Sequence, residues 1–159
     1  MYLSTSRKPS ILSKRLCKTL SALLPRGIYE NRGKKSIEEV ADRARKLGKS
    51  RVLLLYEHHG NPDKFQFMDV GKNWEWLSPE VKITKLGQIP QLKSKTKELR
   101  LEGEKNKEFA NLFNLESSNG EEEVRLILSS DNWSFYSGSK KLFSIGVSYG
   151  IQGDSGNTV

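Results

Sequence analysis

Apolar positions along this chain change their spacing several times, and each change marks an element. Ile11, Leu12, Leu16, Cys17, Leu20, Leu23 and Leu24 recur at steps of three and four, the pattern of one helical face, and the helix they predict ends near Pro25 and Gly27. Before it, Tyr2 to Ser6 is a short β-prone segment, and Pro9 marks a turn or a first helical position. Ile28 and Tyr29 start a second short strand. Ser36 followed three residues later by Glu39 forms a capping box, and the helix so capped runs over Ile37, Val40, Ala41, Ala44 and Leu47 to a stop at Gly48. Arg51 to Tyr56 is a near-continuous apolar run of strand length, as expected for a strand covered on both faces. Strands separated by helices in this way predict a crossover α/β unit. Gly60-Asn61-Pro62-Asp63 then reads as a turn and Phe65, Phe67 and Val70 as a further strand, with Trp74 and Trp76 sharing a face if the chain pairs back as a hairpin.

The pattern then begins again, less sharply. Val81 to Thr84 reads as a strand, whereas residues 87–103 are polar, lysine-rich and carry no period that assigns them. Phe109, Ala110, Leu112 and Phe113 mark a short helix, Asn119-Gly120 a turn, and Glu123–Leu128 and Trp133–Tyr136 strands. Phe143, Ile145, Val147 and Tyr149 alternate strictly. From Gly150 onward there is no core signal. The expectation is one domain over residues 1–159, with a first half of approximately 1–78, a second of approximately 79–150 and a tail at 151–159. Leu12, Leu16, Leu20, Val52, Leu54, Phe67 and Ile145 are its expected core.

Charge changes this picture. The formal net charge is +8, and residues 1–35 supply all of it, with nine lysines and arginines against the single acid Glu30. Elsewhere the signs balance. Such concentration suits a field that attracts a polyanion better than an evenly mixed solubilising surface. No apolar run approaches the roughly 20 residues needed to span a bilayer, and the first residues lack the apolar core of a signal peptide, so the expected location is cytoplasmic, away from membranes.

Catalytic chemistry is not legible. His58 and His59 are adjacent, so on an extended strand they point apart and could not share a metal without a bend, and no acidic cluster stands beside them in sequence; a role in shaping the strand end is expected instead. Cys17 lies on an apolar helical face and reads as a small core residue. No Gly-x-Ser-x-Gly frame surrounds any serine, and Gly138-Ser139-Lys140-Lys141 lacks the first glycine and the spacing of a phosphate loop. Glu121-Glu122-Glu123 reads as a solvated hairpin end. The expectation is no catalytic residue, no metal and no cofactor.

Three loops carry the remaining signal. Thr5-Ser6-Arg7-Lys8-Pro9-Ser10 places hydroxyls and two cations before a helix, whose free N–H groups favour phosphate, with Lys14 and Lys18 one turn apart just beyond. Asn31-Arg32-Gly33-Lys34-Lys35-Ser36 repeats that chemistry before the next helix, with Gly33 permitting close backbone approach. Both loops follow strands of a crossover unit, so they should emerge at one sheet edge. The loop containing Asn61 and Lys64 follows a third. The candidate phosphate-backbone site, which would hold a nucleic acid such as RNA, is therefore Arg7, Lys8, Ser10, Lys14, Arg32, Gly33, Lys34, Lys35, Asn61 and Lys64. An acidic protein partner within a ribonucleoprotein is the other occupant such an edge would suit.

Thr5 to Ser10, Asn31 to Ala44 and His59-Gly60-Asn61-Pro62, in this order and spacing over roughly the first 70 residues, resemble the Brix domain in its short archaeal single-domain form. The resemblance implies a ribosome-biogenesis protein similar to the pre-rRNA processing factors of the small nucleolar ribonucleoprotein, with ribosomal RNA or pre-rRNA as partner and ribonucleoprotein assembly proteins as candidate further ones. It also implies an α/β fold of two similar halves, each with strands and crossover helices like the anticodon-binding domain of class II aminoacyl-tRNA synthetases. The family's basic motif positions fall on Arg7, Lys8, Arg32, Lys34 and Lys35. Glu123 to Leu128 looks like a degenerate form of the family's Gly-Pro-Arg strand, with the Gly-Pro absent.

Overall fold

A computed structural model describes residues 1–115 and 124–150. In chain order the elements are β1 (Tyr2–Thr5), α1 (Ile11–Leu23), β2 (Ile28–Tyr29), α2 (Ile37–Lys46), β3 (Arg51–His58), β4 (Asn61–Asp69), β5 (Glu75–Leu86), β6 (Leu99–Glu102), α3 (Asn106–Phe113), β7 (Val124–Leu128), β8 (Asn132–Ser137) and β9 (Lys140–Gly150). The strands form one sheet of order β2-β1-β3-β4-β5-β9-β8-β7-β6. β2, β1 and β3 are parallel, and the neighbours from β3 through β7 pair antiparallel until β6 and β7 close the far edge in parallel. The mixed α/β architecture expected from the alternation of periods is thus present.

Alternation along β3 explains its apolar run. Leu53 and Leu55 enter one core with Leu3 and the inner side of α1, while Val52 and Leu54 enter another with Tyr2 and the Val40, Ala41 and Ala44 stripe of α2. The two helices therefore cover opposite faces. Topology requires this: the connection from β1 moves outward to β2 and the next moves back past β1 to β3, so right-handed crossovers place α1 and α2 on different sides. The first core continues across the sheet to α3, whose Phe109 lies against Phe67, Phe113, Trp133 and Tyr149. Trp74 and Trp76 do meet across 5.9 Å beside the α2 core.

A parallel pair followed by two antiparallel strands occurs on both sides of the β5–β9 junction, as β1-β3-β4-β5 and as β6-β7-β8-β9. Position 78, where the first half was expected to close, falls inside β5.

Three local expectations need correction. Leu12 is 36% exposed, because the inward position of the first α1 turn goes to Ser13, whose hydroxyl bonds Glu57; the other six expected core residues are buried. The turn after β3 is His59-Gly60, both at positive φ (51° and 78°), and Asn61-Pro62-Asp63 already belong to β4. Within the unassigned polar stretch, residues 99–102 form β6, and residues 88–98 cross α1 as a strap held by Thr19 Oγ1 donating to the Pro90 carbonyl (2.9 Å) and Thr96 N to that of Ala22 (2.7 Å). Glu121-Glu122-Glu123, the Asn119-Gly120 turn and the tail at 151–159 lie outside the described residues.

Candidate nucleic-acid interface

Because β1 and β2 are parallel neighbours, the loops that follow them leave the sheet at the same edge, and because their helices cover opposite faces, the loops diverge. A crevice at the carboxyl ends of parallel strands, where successive connections part, is the usual ligand position of open α/β sheets. Here Arg7 and Lys8 stand on one lip and Gly33 and Lys34 on the other, all exposed. Lys8 holds a left-handed backbone (φ 55°), a conformation uncommon for a lysine, and turns the chain sharply between β1 and α1. Gly33 is likewise left-handed (φ 60°); no atom crowds its missing side chain, so it serves the turn rather than a close contact within the protein.

Arg32 plays a different part from its neighbours. It is only 6% exposed, and its guanidinium is spent on backbone, with Nη1 donating to the Thr5 carbonyl (2.9 Å) and Nε to that of Lys35 (2.8 Å). It ties the two loops together across the crevice. Its charge stays in place, since burial lowers a guanidinium pKa without bringing it near neutrality. Lys35, half-buried, approaches the Asn31 carbonyl at 3.4 Å, and Asn31 in turn accepts from the Tyr29 hydroxyl.

Ser10 and the start of α1 are also committed internally. The Ser10 hydroxyl accepts from Ser13 N as the helix cap, and the Glu57 carboxylate accepts from Ser10 N (3.0 Å) and the Ser13 hydroxyl (2.6 Å). Burial would raise the Glu57 pKa, but these hydrogen bonds outweigh it and hold the carboxyl below its ordinary value. A resident carboxylate thus takes the place expected for a phosphate at this helix terminus. Lys14, half-buried, and Lys18, exposed, follow along α1. Asn61 is exposed at the same sheet edge, whereas Lys64 points along the sheet, paired to Glu80 at 2.6 Å and lying over the Tyr56 ring. The structure therefore gathers Arg7, Lys8, Gly33, Lys34, Lys35 and Asn61 at one edge, commits the hydrogen bonds of Arg32 and Ser10 to building it, and engages Lys64 with Glu80 beside Tyr56. Glu57 was missed because its partners are more than 40 residues away.

Behind the second loop, Arg43 of α2 grips Glu30 with two bonds (2.9 and 2.8 Å), and the Tyr2 hydroxyl donates to the same carboxylate. The Arg43 guanidinium lowers the Glu30 pKa from 4.5 to about 2. The folded value lies below the unfolded one, so the stabilisation is complete above pH 4.5 and is lost as pH falls toward 2. Replacing Glu30 with glutamine should make stability vary less with pH across that window, measured by urea unfolding at successive pH values; an unchanged profile would remove Glu30 from the acid response.

Among the described residues no group of three or more His, Cys, Asp or Glu is placed to hold a metal. His58 and His59 are exposed at the β3 end and do not point apart as on an extended strand: the left-handed backbone of His59 (φ 51°) bends the chain there, and the two rings lie 4.1 Å apart edge to face. Cys17 is buried, its thiol pKa raised by burial. No helix of the described residues is long and apolar enough to cross a membrane.

Fold and edge together define an open, mixed α/β sheet with a divided basic loop pair at its carboxyl end. No family model matches the chain. Over 78 residues, 48% of this chain and 35% of the relative, it is 33% identical to a probable Brix domain-containing ribosomal biogenesis protein of Pyrococcus furiosus. A protein of the same description from Methanosarcina barkeri is 35% identical over 69 residues, 43% of this chain and 41% of the relative. These matches span little more than a third of the relatives' length. Among solved structures, a probable ribosomal biogenesis protein from Aeropyrum pernix K1 superposes with a TM-score of 0.75 at 20% identity, covering 96% of each chain. Mil, an archaeal Imp4-like protein, gives 0.67 at 22% identity over 95% of this chain and 99% of the other. The two structures share the fold, and the chain is related in sequence to the archaeal Brix-domain proteins.

Proposed function

We propose that this chain is an RNA-binding factor of ribosome biogenesis that holds ribosomal or pre-ribosomal RNA by its phosphate backbone at the carboxyl edge of the parallel strands. The observation that carries this reading is the placement of charge: of the segment holding the entire +8 excess, the cations of the two loops after β1 and β2, Arg7, Lys8, Lys34 and Lys35, stand on the two lips of one edge. Phosphates are bound by such cations largely without regard to sequence, so the edge positions RNA rather than reading it. The names of the relatives supply the biological setting, and structured ribosomal RNA, recognised by shape and backbone, supplies the ligand class. The likeness of each half to an anticodon-binding domain belongs to the same reading, supported by the repeated strand pattern on both sides of β5–β9. The protein acts in it as a binder, not as a catalyst.

Crosslinking in cells followed by sequencing of the bound RNA tests this directly. Ribosomal RNA or its precursor should dominate, with crosslinks focused on a few sites. Recovery of RNAs in proportion to their abundance, or of an acidic protein with no RNA, would defeat it.

A further inference from the structure

Beside the loop edge, the exposed face of α1 and the strap at residues 88–92 enclose an open groove of about 770 Å³. Its α1 wall carries Lys14, Arg15 and Lys18, and no acidic side chain lines it among the described residues. Apolar surface comes from Ile11 on the helix and from Ile89, Pro90 and Leu92 on the strap, while Gln88 and Gln91 offer amide donors and acceptors. Ile11 is 76% exposed, although it opens a helix whose other large apolar residues except Leu12 are buried. The groove does not stand alone. Lys18 also borders a recess lined by Tyr29, Glu30, Asn31, Lys35 and Arg43, where the one carboxylate, Glu30, is paired with Arg43, and this recess adjoins the second basic loop.

Resting on the reading of the edge as a phosphate site, we propose that this groove receives unpaired nucleotides of the same RNA, a single-stranded segment continuing from the backbone held at the edge. A nucleotide needs an apolar wall for the base, amides for its hydrogen-bonding edge and cations for its phosphate, and the groove supplies the three together. The all-positive wall favours a polyanion over an apolar peptide. The size is sufficient, since small-molecule pockets run from about 300 to 1,000 Å³. The strap is a firm wall rather than a loose loop, because Thr19 and Ala22 of α1 fasten it at two points.

The test uses the full chain with three RNA probes: a blunt hairpin, the same hairpin with a short single-stranded extension, and that extension with its bases removed. The extension should raise affinity by about tenfold, and the abasic probe should lose that gain. Ile11→Ser with Gln91→Ala, both at exposed positions, should abolish the gain while leaving blunt-hairpin binding unchanged. A 4-thiouridine in the extension should crosslink to residues 11–18 or 88–92. If the blunt hairpin binds but the extension adds nothing, or the double variant retains the gain, the groove inference fails and the edge reading stands. Absence of binding to every probe overturns both. If an acidic amphipathic peptide protects Ile11 and the strap from solvent while the extended RNA does not, the groove is a protein site and the inference is wrong.

Discussion

Changing Arg7, Lys8 and Lys35 together to glutamine should weaken RNA binding roughly a hundredfold at moderate salt, if each cation contributes about 1 kcal/mol. It should also flatten the log–log salt dependence by about 0.7 to 0.9 for each phosphate no longer neutralised, or roughly 2 to 3 in all. Arg32 is deliberately left in place. Its guanidinium bonds the carbonyls of Thr5 and Lys35, so removing it would loosen both loops and confuse a lost fold with a lost ligand. The matched control is Lys107, Lys140 and Lys141, all exposed and all in the charge-balanced part of the chain. A localised site loses affinity in the first triple and little in the second. Equal losses in titrations at several salt concentrations, with circular dichroism confirming both folds, would reduce the edge to nonspecific attraction.

Much of this geometry is legible in the sequence because it is set by short-range pattern. The period of Leu16, Cys17, Leu20 and Leu23, the Ser36/Glu39 capping box and the apolar run of β3 are each decided within a few residues, and all form as read. Parallel order then brings the two basic loops to one edge. The misses arise where distant residues decide. Leu12 lost its inward place to Ser13 because Glu57, 44 residues further on, waits there for a hydroxyl. Asn61-Pro62-Asp63 carries turn residues, yet the turn closes one step earlier at His59-Gly60, and a register shift at Tyr56/Glu57 lets buried Pro62 pair within the ladder. β6 has only four residues and takes its order from β7, so its own sequence offers no run long enough to read.

The site was legible as a charge cluster but not as a mechanism. Nothing local distinguishes Arg32 from Lys34 or Lys35; only the Thr5 carbonyl, 27 residues away, makes it a clamp. A fork-shaped guanidinium can satisfy two carbonyls at once, which a lysine's compact ammonium does less well, so the residue type was informative once the partners were in view. The same division explains Ser10. A hydroxyl before a helix is expected to cap it, and here capping and the bond from its backbone N–H to Glu57 leave less for a ligand. In the proposed function, binding therefore falls to the outer cations, and the inner polar groups, which are committed to hydrogen bonds within the protein, hold the loops in place.

The far side of the sheet is joined to this edge by one aromatic cluster, and Phe109→Ala should show how strongly. Phe109 is fully buried, with ring centroids 5.9 Å from Phe67, 5.9 Å from Phe113, 5.4 Å from Trp133 and 5.5 Å from Tyr149. These neighbours come from β4, α3, β8 and β9, so the truncation opens a cavity between the two ends of the molecule. The expected cost is about 3 to 5 kcal/mol, most of it lost burial and the remainder an unfilled void. For a chain of this size that corresponds to a fall in Tm of about 10 °C. Because Phe65 on β4 also stacks on Trp133 across 5.8 Å, the core is continuous, and the variant should still melt in one transition. Replacing exposed Ile11 by alanine is the companion measurement and should stay within about 0.5 kcal/mol of the unaltered protein. If Phe109→Ala instead splits the melt into two phases, with the strands near α1 holding at the original temperature, the two ends fold independently. The loop edge would then owe its stability to α1 and α2 alone.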